Sequence, residues 1–399
     1  MTHAIEPIFH DPGVVPGTHA LVIGIGQYPH LMGGDSPAQK TDGMRQLSSP
    51  PMSARAVADW LLQDYHCPGK ELSSLALLTS EPASAPFTNP RTGTTSEVPT
   101  AEIAAIVAAV KGWKRLGDAN AGNRLIFYFC GHGISQGNDM ALLASDFSLD
   151  DDNPLESALD FSMLVNGLRK CQASEQIFII DACRASSDVL IGQITAQMGR
   201  IVAGEVPLLG GPRPTDLPRC EAVTYYSTLA GDLSHARPNS VSLFTDATLR
   251  ALHGAGSDNP NDDEEWWVNT SRLHEAIDHF MKQPVFAGQV AGVQTPAVNG
   301  MPVFRVHQLT GPPIVPVYVG CEPQEANGTA EFVCRQGDDE KFRRAVGELG
   351  ADPAGRWHLN LEFGRYEFEA RLAPNDVRVR AKEVRPIFGE IKLRPVGTP

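Results

Sequence analysis

The chain has 399 residues, 42% of them hydrophobic, and a formal net charge of −14. That length favours two domains over one and is ample for a sizeable core. The acidic balance excludes a general binder of nucleic acid or anionic membrane, whose phosphates it would repel, and no apolar stretch approaches the ~20 residues of a membrane-spanning helix. The seven cysteines, Cys67, Cys130, Cys171, Cys183, Cys220, Cys321 and Cys334, are odd in number and scattered. They form no Cys-x-x-Cys pair, so neither a zinc site nor a disulfide framework is expected, and reduced thiols in the cytoplasm are the simpler reading. The first residues, MTHAIEPIFHDPG, show no basic region followed by an apolar run, so no secretory signal is expected.

In chain order, residues 1–16 form an extended lead-in rich in Pro and Gly. His19 to Ile25 reads as a buried strand. It ends on Gly24-x-Gly26, which lacks the third glycine of a dinucleotide fingerprint, so a tight turn is the better reading. Residues 27–52 read as a loop. A helix is expected from about Ser53, as its cap, with Val57, Trp60 and Leu61 on one face. Leu75 to Thr79 is a short strand. Ser80 to Pro99, with four prolines, is a long polar loop. Thr100 is positioned to cap a helix with the apolar stripe Ile103, Ile106, Val107 and Val110.

Arg124 to Gly133, RLIFYFCGHG, is a buried strand that delivers His132 just past its end. Asp139 to Asp146 reads as a small hairpin. Asp150-Asp151-Asp152 is a surface acidic turn without the spacing of an EF-hand calcium loop. Phe161, Leu164, Val165 and Leu168 mark another helix. Gln176 to Ala185, QIFIIDACRA, repeats the grammar of the histidine strand: four apolar residues, then a polar turn carrying Cys183. Ala222 to Ser227 is a strand, Ser242 to Leu252 a helix, Leu273 to Phe280 another helix, and Pro302 to Val306 a closing strand. The alternation predicts a parallel sheet with helices on both faces. Gly311-Pro312-Pro313 reads as a linker. Residues 312–399 alternate with period two, apart from a helical stretch at about Asp339 to Leu349, and predict a small antiparallel β sandwich.

Parallel neighbouring strands would bring His132 and Cys183 to one rim, at the carboxyl edge where open α/β sheets place their chemistry. A thiol needs a base beside it to become a nucleophile. Cys130, two residues before His132, is expected to pack inward instead.

FYFCGHG and FIIDACRA, with His132 standing 51 positions before Cys183, resemble the caspase-like cysteine peptidases. The likeness covers residues 17–308 and includes YYSTLAGDLSH, SLFT and PVFRV. It implies an α/β fold with a mostly parallel sheet flanked by helices, here followed by the β domain. It implies a cysteine endopeptidase with Cys183 as nucleophile and His132 as base and proton donor. The backbone N–H groups of Gly133 and Cys183 would hold the oxyanion. No cofactor and no metal are implied.

In metacaspases the Asp two residues before the nucleophile lines a pocket for Arg or Lys, and Asp181 matches it. Asp232 is a second carboxylate for that pocket, since two carboxylate oxygens suit a guanidinium fork. Ser53 stands where metacaspases often carry a further acid. Ala236 falls where caspases place an arginine for a substrate aspartate. The loop 186–219 lies where family members are cut, and Arg200, Arg213 and Arg219 are candidate processing sites. The implied partners are protein or peptide substrates and an activating protease or regulator. The implied setting is bacterial cell death or antiphage defence. The competing reading is a catalytically silent scaffold that binds a partner, but such members usually lose the His or the Cys, and both are present.

Overall fold

The computed structural model describes residues 5–39, 41–136, 139–182, 219–228, 239–259, 265–286, 294–300, 302–348, 352 and 354–395. Contacts divide the chain into two compact units, Met1–Asp246 with Gln294–Pro302, and Ala247–Val293 with Val303–Pro399.

The first unit is built on a seven-stranded sheet. In spatial order its strands are Phe9–His10, Leu72–Ser80, Thr18–Ile25, Arg124–Gly131, Glu175–Ala182, Glu221–Tyr226 and Ala297–Asn299. The five inner strands are parallel, and the two short edges run antiparallel. Every residue of Thr18–Ile25 and of Arg124–Gly131 is buried, as expected where helices cover both faces. One helix-side core joins Leu21, Ile23, Phe127, Phe129, Phe178 and Ile180 to Ile106, Val110 and Trp113 of the Ile103–Asp118 helix and to Phe161 and Leu164 of the Phe161–Leu168 helix. The fold is α/β, as the alternation of elements predicts.

Several local expectations are corrected. The first helix is Ser49–Gln63, four residues earlier than expected, with Pro50 and Pro51 in its opening turn. Proline suits that turn because its missing N–H would have had no helical partner. Ser53 is therefore inside the helix, not its cap. Thr100 does not cap the Ile103–Asp118 helix. Asp146, 43 residues on, does so through Oδ1, which accepts from the Ile103 N–H at 2.9 Å. The 80–99 loop holds a small hairpin, Phe87–Thr88 with Thr95–Ser96. Gly133–Gln136 pairs with Asp139–Leu143, which pairs in turn with Ala158–Asp160.

The Gly24-x-Gly26 turn is explained by packing. A Cβ on Gly24 would lie 2.4 Å from the Pro50 carbonyl oxygen, and one on Gly26 would lie 2.3 Å from that of Leu47. Both glycines let backbone approach backbone, with no nucleotide loop involved.

In the second unit the expected closing strand is Arg305–Gln308. It pairs with Trp267–Asn269 in a separate three-stranded sheet. The far edge of the main sheet is Ala297–Asn299 instead. Residues from 314 on form two sheets. One orders Trp357–Glu362, Ile314–Cys321 and Gly389–Leu393; the other orders Asp339–Arg344, Glu331–Gln336, Gly364–Ala373 and Asp376–Val384. Val317, Val319 and Leu359 from one sheet share a core with Phe332, Phe368 and Val384 from the other, which is sandwich packing. The pairing is not wholly antiparallel, since Ile314–Cys321 and Gly389–Leu393 run parallel.

The expected helix at Asp339 to Leu349 is a strand, Asp339–Arg344. Gln336 pairs with Asp339, leaving Gly337 and Asp338 as a two-residue hairpin loop, and Gly337 takes φ +61°. Left-handed glycine in a two-residue loop drives a hairpin, and pairing with Glu331–Gln336 overrides the local charge spacing that reads as helical.

Candidate active site

The histidine strand and the Glu175–Ala182 strand are parallel neighbours, registered Asp181 to Cys130 and Ala182 to Gly131. His132 follows Gly131, and Cys183 follows Ala182 in the chain. Cys183 itself lies outside the described residues, as do Asp232, Arg200 and Arg213. Arg219 is exposed, two residues before the Glu221–Tyr226 strand.

His132 is half-buried and held from three sides. Its backbone N–H donates to the Tyr28 hydroxyl at 2.9 Å. Its ring packs against the Tyr28 ring, with centroids 4.9 Å apart. Its Nε2 lies 2.7 Å from the carbonyl oxygen of Arg45. A carbonyl only accepts, so Nε2 carries the proton and the lone pair of the neutral ring is on Nδ1. Gly131 makes room for this arrangement, because a Cβ there would stand 2.8 Å from the Tyr28 hydroxyl. Burial pushes the His132 imidazole below its usual 6.5, while the Arg45 carbonyl pulls it up. The ring is thus neutral, and basic at Nδ1, at neutral pH. Gly133 is buried and opens the strand that pairs with Asp139–Leu143.

Asp181 is 3% exposed. Its Oδ2 accepts from the Ser242 hydroxyl, from Thr245 Oγ1 at 2.9 Å and from Cys130 Sγ at 3.5 Å. Tyr128 donates to Thr245 at 2.6 Å, which completes a hydroxyl relay from the sheet to the carboxylate. Ser242 also accepts from the Thr245 N–H at 3.1 Å, at the start of the Leu243–Arg250 helix. A carboxylate is favoured at such a helix start, where N–H groups lack partners. Burial raises the Asp181 pKa, against the hydroxyls of Ser242 and Thr245, which favour the charged form. Ser53, at the position where an acid is expected from the likeness, accepts from the Ser242 N–H at 3.0 Å.

Cys130 is 4% exposed, and burial followed by the Asp181 charge pushes its thiol well above the usual range. It is a packed thiol at neutral pH, not a nucleophile. Among the described residues no group of three or more His, Cys, Asp or Glu is placed to hold a metal ion. No described helix is long and apolar enough to cross a membrane.

The sequence reading missed Arg45, Tyr28, Ser242 and Thr245. Arg45 acts through its main chain, for which residue type carries no signal. Ser242 and Thr245 lie more than sixty residues beyond Asp181, and no periodicity links them.

The Peptidase C14 caspase domain matches residues 18–297, well over half of the chain. The chain belongs to the caspase-domain family, a family of cysteine peptidases whose substrates are proteins. It is 29% identical over 290 residues to an uncharacterized protein, y4kE, of Sinorhizobium fredii, a match covering 67% of this chain and 79% of that one. It is 27% identical over 200 residues to a probable protease of a Desulfuromonadales bacterium, covering 47% of this chain and 22% of that protein. Among solved structures, caspase-1 of Spodoptera frugiperda is similar at 12% identity and a TM-score of 0.39, covering 75% of this chain and 94% of that one.

Proposed function

We propose that the protein is a cysteine endopeptidase in which Cys183 attacks the scissile carbonyl and His132 moves the proton. The observation that carries this reading is the strand register, which ends the two neighbouring strands on Gly131 and Ala182, directly before His132 and Cys183 in the chain. His132 supports it by holding a neutral ring with the basic nitrogen on Nδ1, fixed by the Arg45 carbonyl on Nε2. In this reading Nδ1 takes the Cys183 proton, the thiolate adds to the carbonyl, and the imidazolium then protonates the leaving amine. Water, activated by the same ring, releases the acyl group. The N–H groups of Gly133 and Cys183 hold the oxyanion, and one such donor is worth about 3 kcal/mol of barrier.

The preferred bond follows Arg or Lys. Asp181 supports this as a buried carboxylate one strand residue before the nucleophile's end of the sheet. The Ser242 and Thr245 hydroxyls that donate to it favour its charged form, and a substrate guanidinium or ammonium is the counter-charge this reading assigns to it. Asp232 would be the second acid. Cleavage at Arg200, Arg213 or Arg219, by the enzyme itself or by an upstream protease, would convert a latent form to an active one. The domain division of this reading is a lead-in at 1–16, the peptidase domain at 17–308 and the β domain at 312–399. The setting in this reading is cytoplasmic bacterial cell death or antiphage defence, which rests on the resemblance to the family alone.

The test uses wild type and Cys183→Ala on fluorogenic peptides ending in Arg, Lys or Asp, with gels to follow self-cleavage. Cleavage after Arg that disappears in the variant is the expected result. Cleavage after Asp would overturn the pocket assignment and keep the nucleophile. Wild type silent on every peptide, even after a limited tryptic nick of the 186–219 loop, would favour a non-cutting scaffold.

A further inference from the structure

The segment that supplies the Arg45 carbonyl is exposed at Arg45 itself, and something must hold that carbonyl on the histidine ring. The next residue is Gln46. Its side-chain amide makes a two-way pairing with the main chain of Tyr28: Oε1 accepts from the Tyr28 N–H at 2.7 Å, and Nε2 donates to the Tyr28 carbonyl at 2.8 Å. The same Nε2 reaches the Met32 carbonyl at 3.3 Å. On either side the backbone is tied to the same loop, with Leu47 N–H to the Gly26 carbonyl at 2.8 Å and Met32 N–H to the Met44 carbonyl at 3.1 Å. Tyr28 is fully buried, and its hydroxyl is the group that receives the His132 N–H. One amide side chain therefore joins both supports of the histidine, the carbonyl on Nε2 and the phenol under its backbone.

We propose that Gln46 is a positioning residue for His132, whose side-chain amide locks residues 44–47 onto the Tyr28 main chain and so keeps the Arg45 carbonyl on Nε2. The inference rests on the reading of His132 as the catalytic base. The amide suits the task because it offers a donor and an acceptor on one planar group, matching the N–H and C=O of a single residue. No charge is involved, so the clamp is insensitive to pH and salt. Without it, Nε2–H loses a fixed acceptor, the ring samples both tautomers, and Nδ1 is presented as a base only part of the time. A displacement of the order of an ångström in a catalytic group costs about a hundredfold in rate.

The test compares full-length wild type with Gln46→Ala, using ¹⁵N-labelled histidine and His132→Gln to assign the His132 ring signals. Wild type is expected to show the Nε2–H tautomer at neutral pH, and Gln46→Ala signals averaged between the two tautomers. Kinetically, Gln46→Ala should lower kcat about 10- to 100-fold with KM within about twofold. The acid limb of its kcat/KM profile should move to lower pH, because the Arg45 carbonyl is what holds the imidazole up against burial. Should Gln46→Ala not fold, Gln46→Glu keeps the acceptor for Tyr28 N–H, loses the donors, and serves the same measurement. An unchanged His132 tautomer in the folded variant overturns the proposal, whether or not activity falls. If wild type cleaves no peptide, the peptidase reading fails on its own, and the tautomer comparison still decides the role of Gln46.

Discussion

The Arg124–Gly131 and Glu175–Ala182 strands lie side by side, yet their two ends handle buried charge in opposite ways. At the amino ends, Arg124 and Glu175 are register partners and form an ion pair, with N···O distances of 2.6 and 2.8 Å. Lys70 binds the other carboxylate oxygen at 2.6 Å, and the Tyr65 hydroxyl meets the guanidinium at 2.9 Å. Burial disfavours both charges, but Arg124 and Lys70 hold the Glu175 carboxyl below its usual range. At the carboxyl ends, Asp181 is met by hydroxyls and a thiol, and burial raises it. His132 is met by a carbonyl, and burial lowers it. One end is an ion pair and supports the fold. At the other, hydroxyls and a main-chain carbonyl meet the carboxylate and the ring, and burial works against the charged form of each.

The comparison can be broken most directly at the rim. His132→Ala and Cys183→Ala should each lower peptide cleavage at least about a thousandfold in single-turnover assays, with unfolding midpoints little changed. At the opposite end, Arg124→Met should cost about 3 kcal/mol in urea unfolding, because Glu175 then lies beside Lys70 alone. Arg124→Met with Glu175→Gln should recover most of that loss, and failure to recover would mean packing, not charge, dominates there. Activity per folded molecule should hold in both variants.

Asp181 separates stability from specificity. Asp181→Ala leaves the Ser242 and Thr245 donors unserved and should destabilise by about 1–3 kcal/mol. Asp181→Asn keeps an acceptor, should stay within about 1 kcal/mol of wild type at neutral pH, and should lose its preference for Arg over uncharged residues. A retained preference would place the recognition of basic residues elsewhere.

The smallest effect is on the pH dependence of stability. His19, at the amino end of its strand, is 5% exposed, and burial followed by the His10 charge lowers it from 6.5 to about 4. Below pH 6.5 the unfolded chain binds this proton and the native one does not, so stability is lost as pH falls towards about 4. His132 is lowered for the same reason and adds in the same direction. The slope of unfolding free energy against pH in that window should flatten in His19→Gln, and an unaltered slope would assign acid sensitivity to other groups.

What was legible in the amino-acid order was what local pattern controls. Continuous apolar runs at Leu125 to Phe129 and Ile177 to Ile180 specify strands buried on both faces, and the helical repeats between them leave a parallel sheet as the packing solution. That reasoning alone brings the residues after Gly131 and Ala182 to one rim. Only tertiary structure decided the rest. The Asp146 cap on Ile103, the Arg45 carbonyl on His132 and the Ser242 and Thr245 hydroxyls on Asp181 each join segments 43 to 87 residues apart. The strand at Asp339–Arg344 formed against its local charge spacing because a hairpin partner was at hand. Such contacts are set by where folding brings polar groups that must be satisfied once water is excluded, and no period along the chain encodes that meeting.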